Sequence, residues 1–499
     1  MRLKLWLANV FASWVTKKVT NDADKAIYWQ TYWMHKLLKS ASNTSFGRDH
    51  GFNSIQNYAQ FKSAVPIRDY EALRVYMDRM VAGERNVTWP GKPIYFAKTS
   101  GTTSGVKYIP ISKESISCHI NSARNALLAY IHETGNAKFV SGKLIFLSGS
   151  PTLDKKNGIF TGRLSGIVNH HVPAYLRKNQ MPSYDTNCIE DWEEKVAKIT
   201  EETLLEDMTL ISGIPPWVQM YFDLVQAKTG KLIKDVFPNF NLFVYGGVNV
   251  EPYRKKLEAS IGKKVDSIET YPASEGFIAY QNSQTDDGLL LLCNNGIFYE
   301  FIEADTFYDE NPKRVSLAEV TLGTNYAIIL NTNAGLFGYN IGDTVKFVSL
   351  HPFKIKVTGR IKHFISAFGE HVIGEEVEYA LQYACDKMEA NVTEFTVAPQ
   401  VNPVEGGLPY HEWFIAFEKL PADINLFATY IDEAMQQKNI YYKDLIAGSI
   451  LQTLKVRILV GDAFIQYMKL LGKLGGQNKV PRLSNDRKIA DELIKLLAQ

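Results

Sequence analysis

Apolar residues recur along this chain with two different periods, and segments of the two kinds alternate through most of its length. Recurrence at every third and fourth residue in DKAIYWQTYWMHKLLK, from Asp24, and in EDWEEKVAKITEETLLEDM, from Glu190, predicts helices. Short β-like runs between them, such as KLIFLSG from Lys143 and NLFVYGG from Asn241, end in turn residues. The alternation predicts an α/β fold with mostly parallel sheets flanked by helices.

The pattern changes near residue 360. Before it, YAIILNTNAGLFGYNIGDTVKFVSL predicts a series of short strands with Gly and Asn turns. After TGR, the run IGEEVEYALQYACDKM from Ile373 is helical, and TEFTVAP and EWFIAFE are β-like. Because 499 residues exceed one ordinary core, we expect a large N-terminal domain over residues 1–360 and a smaller α+β domain over residues 361–499.

Charge and cysteine content restrict the class of protein. Lys and Arg total 55 against 53 for Asp and Glu, so the overall charge gives no reason to expect a nucleic-acid or an anionic-membrane partner. The four cysteines are far apart and lack metal-ligand spacing, which favours a cytoplasmic protein without a disulfide framework. The first apolar run, in MRLKLWLANVFASWV, is too short to span a membrane. It is typical of an amphipathic docking helix, with a signal peptide as the alternative.

The segment KTSGTTSGVKYIP, from Lys98 to Pro110, is the richest in candidate chemistry. Successive backbone N–H groups in a Gly-rich loop bind anions, hydroxyls donate further hydrogen bonds, and a nearby lysine opposes phosphate charge. The loop joins two β-like runs, unlike a P-loop that enters a helix, and a flexible hairpin tip is the alternative interpretation. The candidate phosphate-binding residues are Ser100, Gly101, Thr102, Thr103, Ser104, Gly105 and Lys107.

Four other segments offer groups that a nucleotide needs. Glu275 in ETYPASEGF could hold Mg²⁺ beside a phosphate loop, or be an exposed loop glutamate. Gly246 and Gly247, in FVYGGVNVEPY, leave room for a flat ring, or form a plain turn. Asp343 in YNIGDTVKF could accept ribose hydroxyls, or be a structural turn residue. Lys479 in GGQNKVPRL lies in a polar loop, where most lysines are only solvated.

In this order the segments resemble the adenylate-forming superfamily of acyl-CoA synthetases and luciferases. They resemble most closely its auxin-responsive acyl-acid amido synthetases, the Gretchen Hagen family of plants and its bacterial relatives, and we expect a member of the bacterial type. SGTTSGVKYIP is similar to that family's phosphate loop, YPASEG to its second motif and NAGLFGYNIGDTVKF to its third. TGRIKHFISAFGEHVIGEEVE resembles the superfamily's hinge, and QNKVPR resembles the segment with its mobile lysine.

The resemblance implies a large domain with a small β-barrel-like part and a mobile C-terminal lid. It implies ATP, with AMP as product, and Mg²⁺ as cofactors, and a carboxylic acid and an amine or amino acid as substrates. Lys479, Lys107 and Glu275 would be catalytic, with Glu275 the Mg²⁺ ligand and Lys362 the hinge residue. The implied ATP-binding residues are Ser100, Gly101, Thr102, Thr103, Ser104, Gly105, Lys107, Gly246, Gly247, Val248, Tyr271, Ala273, Ser274, Asp343 and Arg360.

The chain also departs from the plant pattern. The plant motif resembles YRYRVGD, whereas this chain has Gly338 and Asn340 at the two basic positions, so a plant-like contact from basic residues is not expected there. The acyl-pocket residues have no clear match in the plant pattern, so auxin or jasmonate is not assumed as the substrate. An acyl-CoA or acyl-protein ligase with the same first step is one alternative, and a nucleotide-binding regulatory protein without catalysis is another. GxSxG, HExxH and GxGxxG are absent, which disfavours the simplest hydrolase, zinc-protease and dinucleotide interpretations. A monomer or homodimer is expected.

Overall fold

The chain folds as a mixed α/β structure with a large N-terminal part and a smaller C-terminal part. The computed structural model describes residues 2–102, 105–172, 177–247, 250–286, 288–307, 309–361, 364–365, 367–370, 372–460, 463–470, 480 and 482–497.

In the described residues, five α-helices precede the first strand. Three of them begin after a residue whose side chain accepts a backbone N–H of the first turn: Thr44 from Gly47, and likewise Asn57 and Asp69. The predicted helix from Asp24 is confirmed, although the chain is already helical before it. The helices are α1 (Arg2–Asp24), α2 (Ala26–Ala41), α3 (Ser45–Asp49), α4 (Tyr58–Ala64) and α5 (Tyr70–Val81).

The rest of the large part alternates strands with helices. Its strands are β1 (Tyr95–Thr102), β2 (Gly105–Ile111), β3 (Lys143–Phe146), β4 (Asp154–Lys156), β5 (Ile159–Gly162), β6 (Gln180–Met181), β7 (Met208–Ser212), β8 (Leu242–Gly246), β9 (Asp266–Ala273), β10 (Gly276–Gln281), β11 (Leu289–Leu291), β12 (Ile297–Glu303), β13 (Arg314–Ser316), β14 (Asn325–Thr332), β15 (Tyr339–Leu350) and β16 (Phe353–Arg360). Its further helices are α6 (Lys113–Thr134), α7 (Leu164–Asn169), α8 (Tyr184–Cys188), α9 (Trp192–Thr203), α10 (Pro215–Thr229), α11 (Ile233–Val236) and α12 (Glu251–Ile261).

One twelve-stranded sheet runs through the large part in the order β13-β12-β14-β15-β16-β11-β10-β9-β8-β7-β3-β6. At one end of this sheet, neighbouring strands from β6 through β3, β7 and β8 to β9 pair in parallel. From β9 to the other end of the sheet at β13, every neighbouring pair is antiparallel. The expectation of mostly parallel sheets is therefore wrong outside that five-stranded region. A second sheet has the order β2-β1-β5-β4.

The central parallel strands β3, β7 and β8 are largely buried on both faces, which explains why they read as continuous apolar runs. Successive residues of β3, β7 and β8 enter two different cores. One core faces α1 and α6, and the other faces α9 and α10. The first contains Leu144, Leu210 and Leu242, and the second contains Ile145, Ile211 and Phe243.

The smaller part follows Arg360, the end of β16, and its three-stranded sheet has the order β19-β20-β21. Its elements are β17 (Phe364–Ile365), β18 (Val372–Ile373), α13 (Gly374–Met388), β19 (Asn391–Gln400), β20 (Tyr410–Lys419), α14 (Ile424–Lys438), α15 (Ile440–Ala447), β21 (Lys455–Leu459), α16 (Ala463–Leu470) and α17 (Lys488–Leu497).

The N-terminal apolar run is part of α1, which packs on α6 through Ala12 and Val15. Of the helices in the described ranges, none combines the length and apolar character needed to cross a bilayer. The four cysteines are free thiols.

Candidate active site

The predicted phosphate loop lies at the tip of the β1–β2 hairpin, which confirms that it joins two strands. Ser100, Gly101 and Thr102 end β1, and Gly105 begins β2 opposite Thr102. Residues 103 and 104, the predicted Thr103 and Ser104 at the tip, lie outside the described residues.

Lys107 faces a tyrosine that the sequence did not single out. Its Nζ lies 5.7 Å from the centre of the Tyr70 ring, at the start of α5. The Tyr108 backbone N–H donates to the Tyr70 hydroxyl at 2.9 Å. Burial raises the pKa of that hydroxyl, so it stays protonated near neutral pH. Tyr70 therefore anchors the second strand of the hairpin to α5.

Arg68, two residues before Tyr70, forms backbone hydrogen bonds with β15, the strand that carries Asp343. The Arg68 backbone N–H donates to the Gly338 carbonyl at 2.9 Å, and the Asn340 N–H donates to the Arg68 carbonyl at 2.8 Å. Residues 68–70 thus connect the β1–β2 hairpin with the start of β15. Sequence reasoning missed Arg68 and Tyr70, because only a long-range pairing gives them this position.

Tyr271 and Asp343 are in direct contact, although they are far apart in sequence. The Tyr271 hydroxyl donates to Asp343 Oδ2 at 2.5 Å, and both side chains are buried. Asp343 lies opposite Arg360 in the β15–β16 pairing. Three predicted nucleotide-binding positions from three separate segments therefore meet at one place.

The β9–β10 turn carries the other predicted site residues of the YPASEG motif, which begins at Tyr271. Ala273 ends β9 and pairs with Gly276, so Ser274 and Glu275 form the turn. The Glu275 side chain is only 8% exposed. The alternative of an exposed loop glutamate is therefore wrong. A glutamate is rarely buried, which makes this position unusual for a turn.

Gly246 and Gly247 lie beside Tyr271 at the carboxyl end of a parallel strand. Gly246 pairs with Thr270, and a Cβ at Gly246 would lie 2.3 Å from the Thr270 carbonyl oxygen. Gly247 has a φ of +82°, which favours glycine. The two glycines therefore permit a close backbone approach at the edge where α/β sheets bind ligands. Residue 248, the predicted Val248, lies outside the described residues.

Gly338 and Asn340, which stand at the two basic positions of the plant pattern, have local structural roles near Asp343. Gly338 has a φ of +59°, and a Cβ there would lie 2.5 Å from the Pro66 carbonyl oxygen. The Asn340 side-chain oxygen accepts a hydrogen bond from the Gly342 N–H at 2.8 Å. These two positions shape the backbone that presents Asp343.

The C-terminal part lies close to the Gly246–Gly247 turn. A Cβ at Gly247 would lie 3.7 Å from Ile214 Cγ2, and one at Gly369 would lie 3.5 Å from Ile214 Cδ1. Arg163 of the large part forms an ion pair with Asp444 of α15 at 2.7 Å. Gly369 of the C-terminal part and the Gly246–Gly247 turn thus lie on the same side chain, Ile214.

Lys362 and Lys479 lie outside the described residues. Residues next to Lys479 belong to the C-terminal part, since Val480 is buried in the core formed with α16 and α17. The Val397 N–H of β19 also donates to the Arg482 carbonyl at 3.0 Å.

Comparison with solved structures identifies the fold. The solved structure of the acyl acid amido synthetase AtGH3.15 in complex with 2,4-DB superposes with a TM-score of 0.61 at 15% identity, covering 97% of this chain and 96% of that one. The chain therefore has the fold of an acyl acid amido synthetase.

Sequence comparison gives the family. Its models match residues 15–188 (GH3 family N-terminal domain), 290–360 (GH3 family central domain) and 375–488 (GH3 family C-terminal domain). The chain belongs to the GH3 family, whose acyl-acid amido synthetases are ATP-dependent ligases that form an acyl-adenylate and then an amide.

Two amido synthetases are similar to this chain in sequence. A jasmonoyl–L-amino acid synthetase of Nicotiana attenuata is 25% identical over 67% of this chain and 68% of the relative. An indole-3-acetic acid–amido synthetase of Arabidopsis thaliana is 20% identical over 93% of this chain and 90% of the relative.

Proposed function

We propose that this chain activates a carboxylic acid with ATP at the β1–β2 hairpin and the Tyr271–Asp343 pair, and transfers the acyl group to an amino acid. The buried hydrogen bond between Tyr271 and Asp343 carries the proposal, because it joins two nucleotide motifs that are distant in sequence. The name of the jasmonoyl relative gives an L-amino acid as the acceptor. Because the side chains near Asp343 differ from the plant pattern, we do not assign the carboxylic acid.

The nucleotide would lie across the carboxyl ends of the parallel strands. Backbone N–H groups of the hairpin tip would bind the phosphates, with Lys107 opposing their charge. Asp343 would accept ribose hydroxyls in addition to the Tyr271 hydroxyl, since a carboxylate has about four acceptor sites. The adenine would lie against Gly246, Gly247, Val248, Tyr271, Ala273 and Ser274, and Arg360 would contact the nucleotide.

Glu275 would hold Mg²⁺ together with the phosphates. Within the described ranges no three His, Cys, Asp or Glu side chains come together as a metal site. Mg²⁺ suits such an arrangement, because it commonly uses one or two protein carboxylates plus phosphate oxygens and water. The buried position of Glu275 fits that role, and the ion would neutralise phosphate charge there.

In the first step a carboxylate oxygen attacks the α-phosphorus, and pyrophosphate leaves. Both reactants are anions. Two unit charges about 4 Å apart repel by roughly 1 kcal/mol in water, but by about 4 kcal/mol at an effective dielectric of about 20. Cations and N–H donors placed in advance offset this repulsion. Lys107 and Lys479 would supply the positive charge.

In the second step the amine nitrogen attacks the acyl carbonyl, AMP leaves, and the new amide loses a proton. Water would hydrolyse the adenylate, so the site must be covered. The C-terminal part would provide the cover by turning about Lys362, with the domain boundary between residues 360 and 361. A monomer or homodimer in the cytoplasm is the setting that we propose.

Replacing Tyr271 by phenylalanine tests the pair that carries the proposal. We expect kcat/KM for ATP to fall about tenfold, because a hydrogen bond to a carboxylate contributes about 1.5 kcal/mol or more. Initial rates of pyrophosphate release measure the change. Tyr280→Phe is a matched control on the next strand, since the Tyr280 hydroxyl is buried without a described hydrogen-bond partner. Equal rates for both variants would contradict the role of Tyr271.

A substrate panel tests the reaction. Carboxylic acids are supplied with ATP and Mg²⁺, and pyrophosphate release is read with and without amino acids. We expect one acid class to support release, and an amino acid to raise turnover and yield an amide. Turnover that responds to coenzyme A and to no amino acid would instead indicate the acyl-CoA ligase alternative.

A further inference from the structure

Among the side chains that the structure describes, helix α1 has apolar residues on two opposite faces, one packed into a core and the other largely exposed. Ala8, Ala12, Val15 and Val19 recur at three- and four-residue spacing and pack into the core formed with α6 and the parallel strands. This inner face fixes α1 to the large domain.

The outer face of α1 is a stripe of five exposed apolar side chains, including two tryptophans that are 60% and 65% exposed. One-turn spacing places them on the same side of the helix, opposite the inner face. The outer stripe consists of Trp6, Leu7, Val10, Phe11 and Trp14.

Positive charge continues the outer stripe. Lys17 and Lys18, both exposed, follow Trp14 by three and four residues and so lie one turn further along the same side. The Arg124 guanidinium of α6 lies 5.9 Å from the centre of the Phe11 ring. The first 21 residues contain four basic and no acidic residues. The stripe is therefore apolar, aromatic and cationic at once.

We infer that the outer stripe of α1 docks the protein on an anionic lipid surface, with the helix lying in the plane of the interface. Tryptophan favours the boundary between headgroups and acyl chains, and basic residues beside it are attracted to anionic lipids. A second copy of the chain would fit the outer stripe less well. It would bring another Lys17–Lys18 pair to a helix whose first 21 residues carry no acid to balance it.

Flotation of the full chain with vesicles tests this inference independently of the ligase reaction. We expect binding to vesicles of phosphatidylcholine with phosphatidylglycerol, little binding to phosphatidylcholine alone, and weakening by salt. Lys17→Gln with Lys18→Gln should lower the partition coefficient by about 30-fold, at about fivefold per lysine. Trp6→Gln with Trp14→Gln should lower it by at least about tenfold.

A matched control removes exposed apolar groups elsewhere. Leu205 and Val404 are each 99% exposed and lie far from α1 in sequence, so Leu205→Gln with Val404→Gln should bind like the wild type. Unchanged thermal unfolding and pyrophosphate release would show that each variant is folded. Absence of vesicle binding, binding unaffected by the tryptophan changes, or a dimer that those changes dissociate without any vesicle binding would each overturn the inference.

Discussion

Replacing Lys479 by alanine is expected to slow adenylate formation by about 10²–10³-fold, the scale for losing one group that stabilises a transition state. The effect should fall on the chemical step, because Lys479 would approach the α-phosphate only when the C-terminal part closes. ATP binding should weaken much less, since the hairpin and Asp343 lie on the large part. Acid-dependent exchange of pyrophosphate into ATP measures the step directly.

A neighbouring lysine provides the control. Lys488 begins α17, and its side chain is 89% exposed, so Lys488→Ala should exchange at the wild-type rate. Transfer from a supplied acyl-adenylate to an amine should also survive in Lys479→Ala, because that step does not use the α-phosphate contact. Wild-type exchange in Lys479→Ala would refute the assignment.

Replacing Asp343 by alanine is expected to weaken ATP binding by about 10- to 100-fold, because hydrogen bonds to a carboxylate contribute about 1.5–3 kcal/mol. The loss should be specific to the ribose. The wild type should prefer ATP to its 2′,3′-dideoxy analogue, and the variant should bind both with similar affinity. Competition binding with the two nucleotides measures this difference.

Asp343→Ala also removes the acceptor of the Tyr271 hydroxyl, so the same substitution is also tested in a chain that already carries Tyr271→Phe. In a Tyr271→Phe chain the Asp343→Ala change should still abolish discrimination between the two nucleotides. Asp343→Asn, which keeps one acceptor oxygen, should lose less affinity. Discrimination that persists in Asp343→Ala would show that another group recognises the ribose.

The sequence predicted much of the fold because its local patterns were strong. The helix from Ile373 and the strands from Lys143 and Asn241 all formed near their predicted bounds. The direction of strand pairing was the main error. An apolar run is the same for a buried parallel strand and a central antiparallel one, so periodicity could not reveal that the sheet becomes antiparallel after β9.

The site was predicted in part for a similar reason. Motif order gave Tyr271 and Asp343 as members of one site, but their hydrogen bond depends on the sheet that lies between them. The burial of Glu275 could not be predicted, since Ser and Glu are ordinary residues for an exposed turn. Tyr70 was missed because nothing in its local sequence indicates contact with the β1–β2 hairpin.

A structure of the full chain with a non-hydrolysable ATP analogue and Mg²⁺ tests the central claim most directly. We expect the triphosphate within hydrogen-bond distance of the backbone N–H groups at the β1–β2 tip, and the ribose on the Asp343 carboxylate beside Tyr271. Nucleotide density at another place, with the tip and Asp343 both without contact to it, would contradict the account.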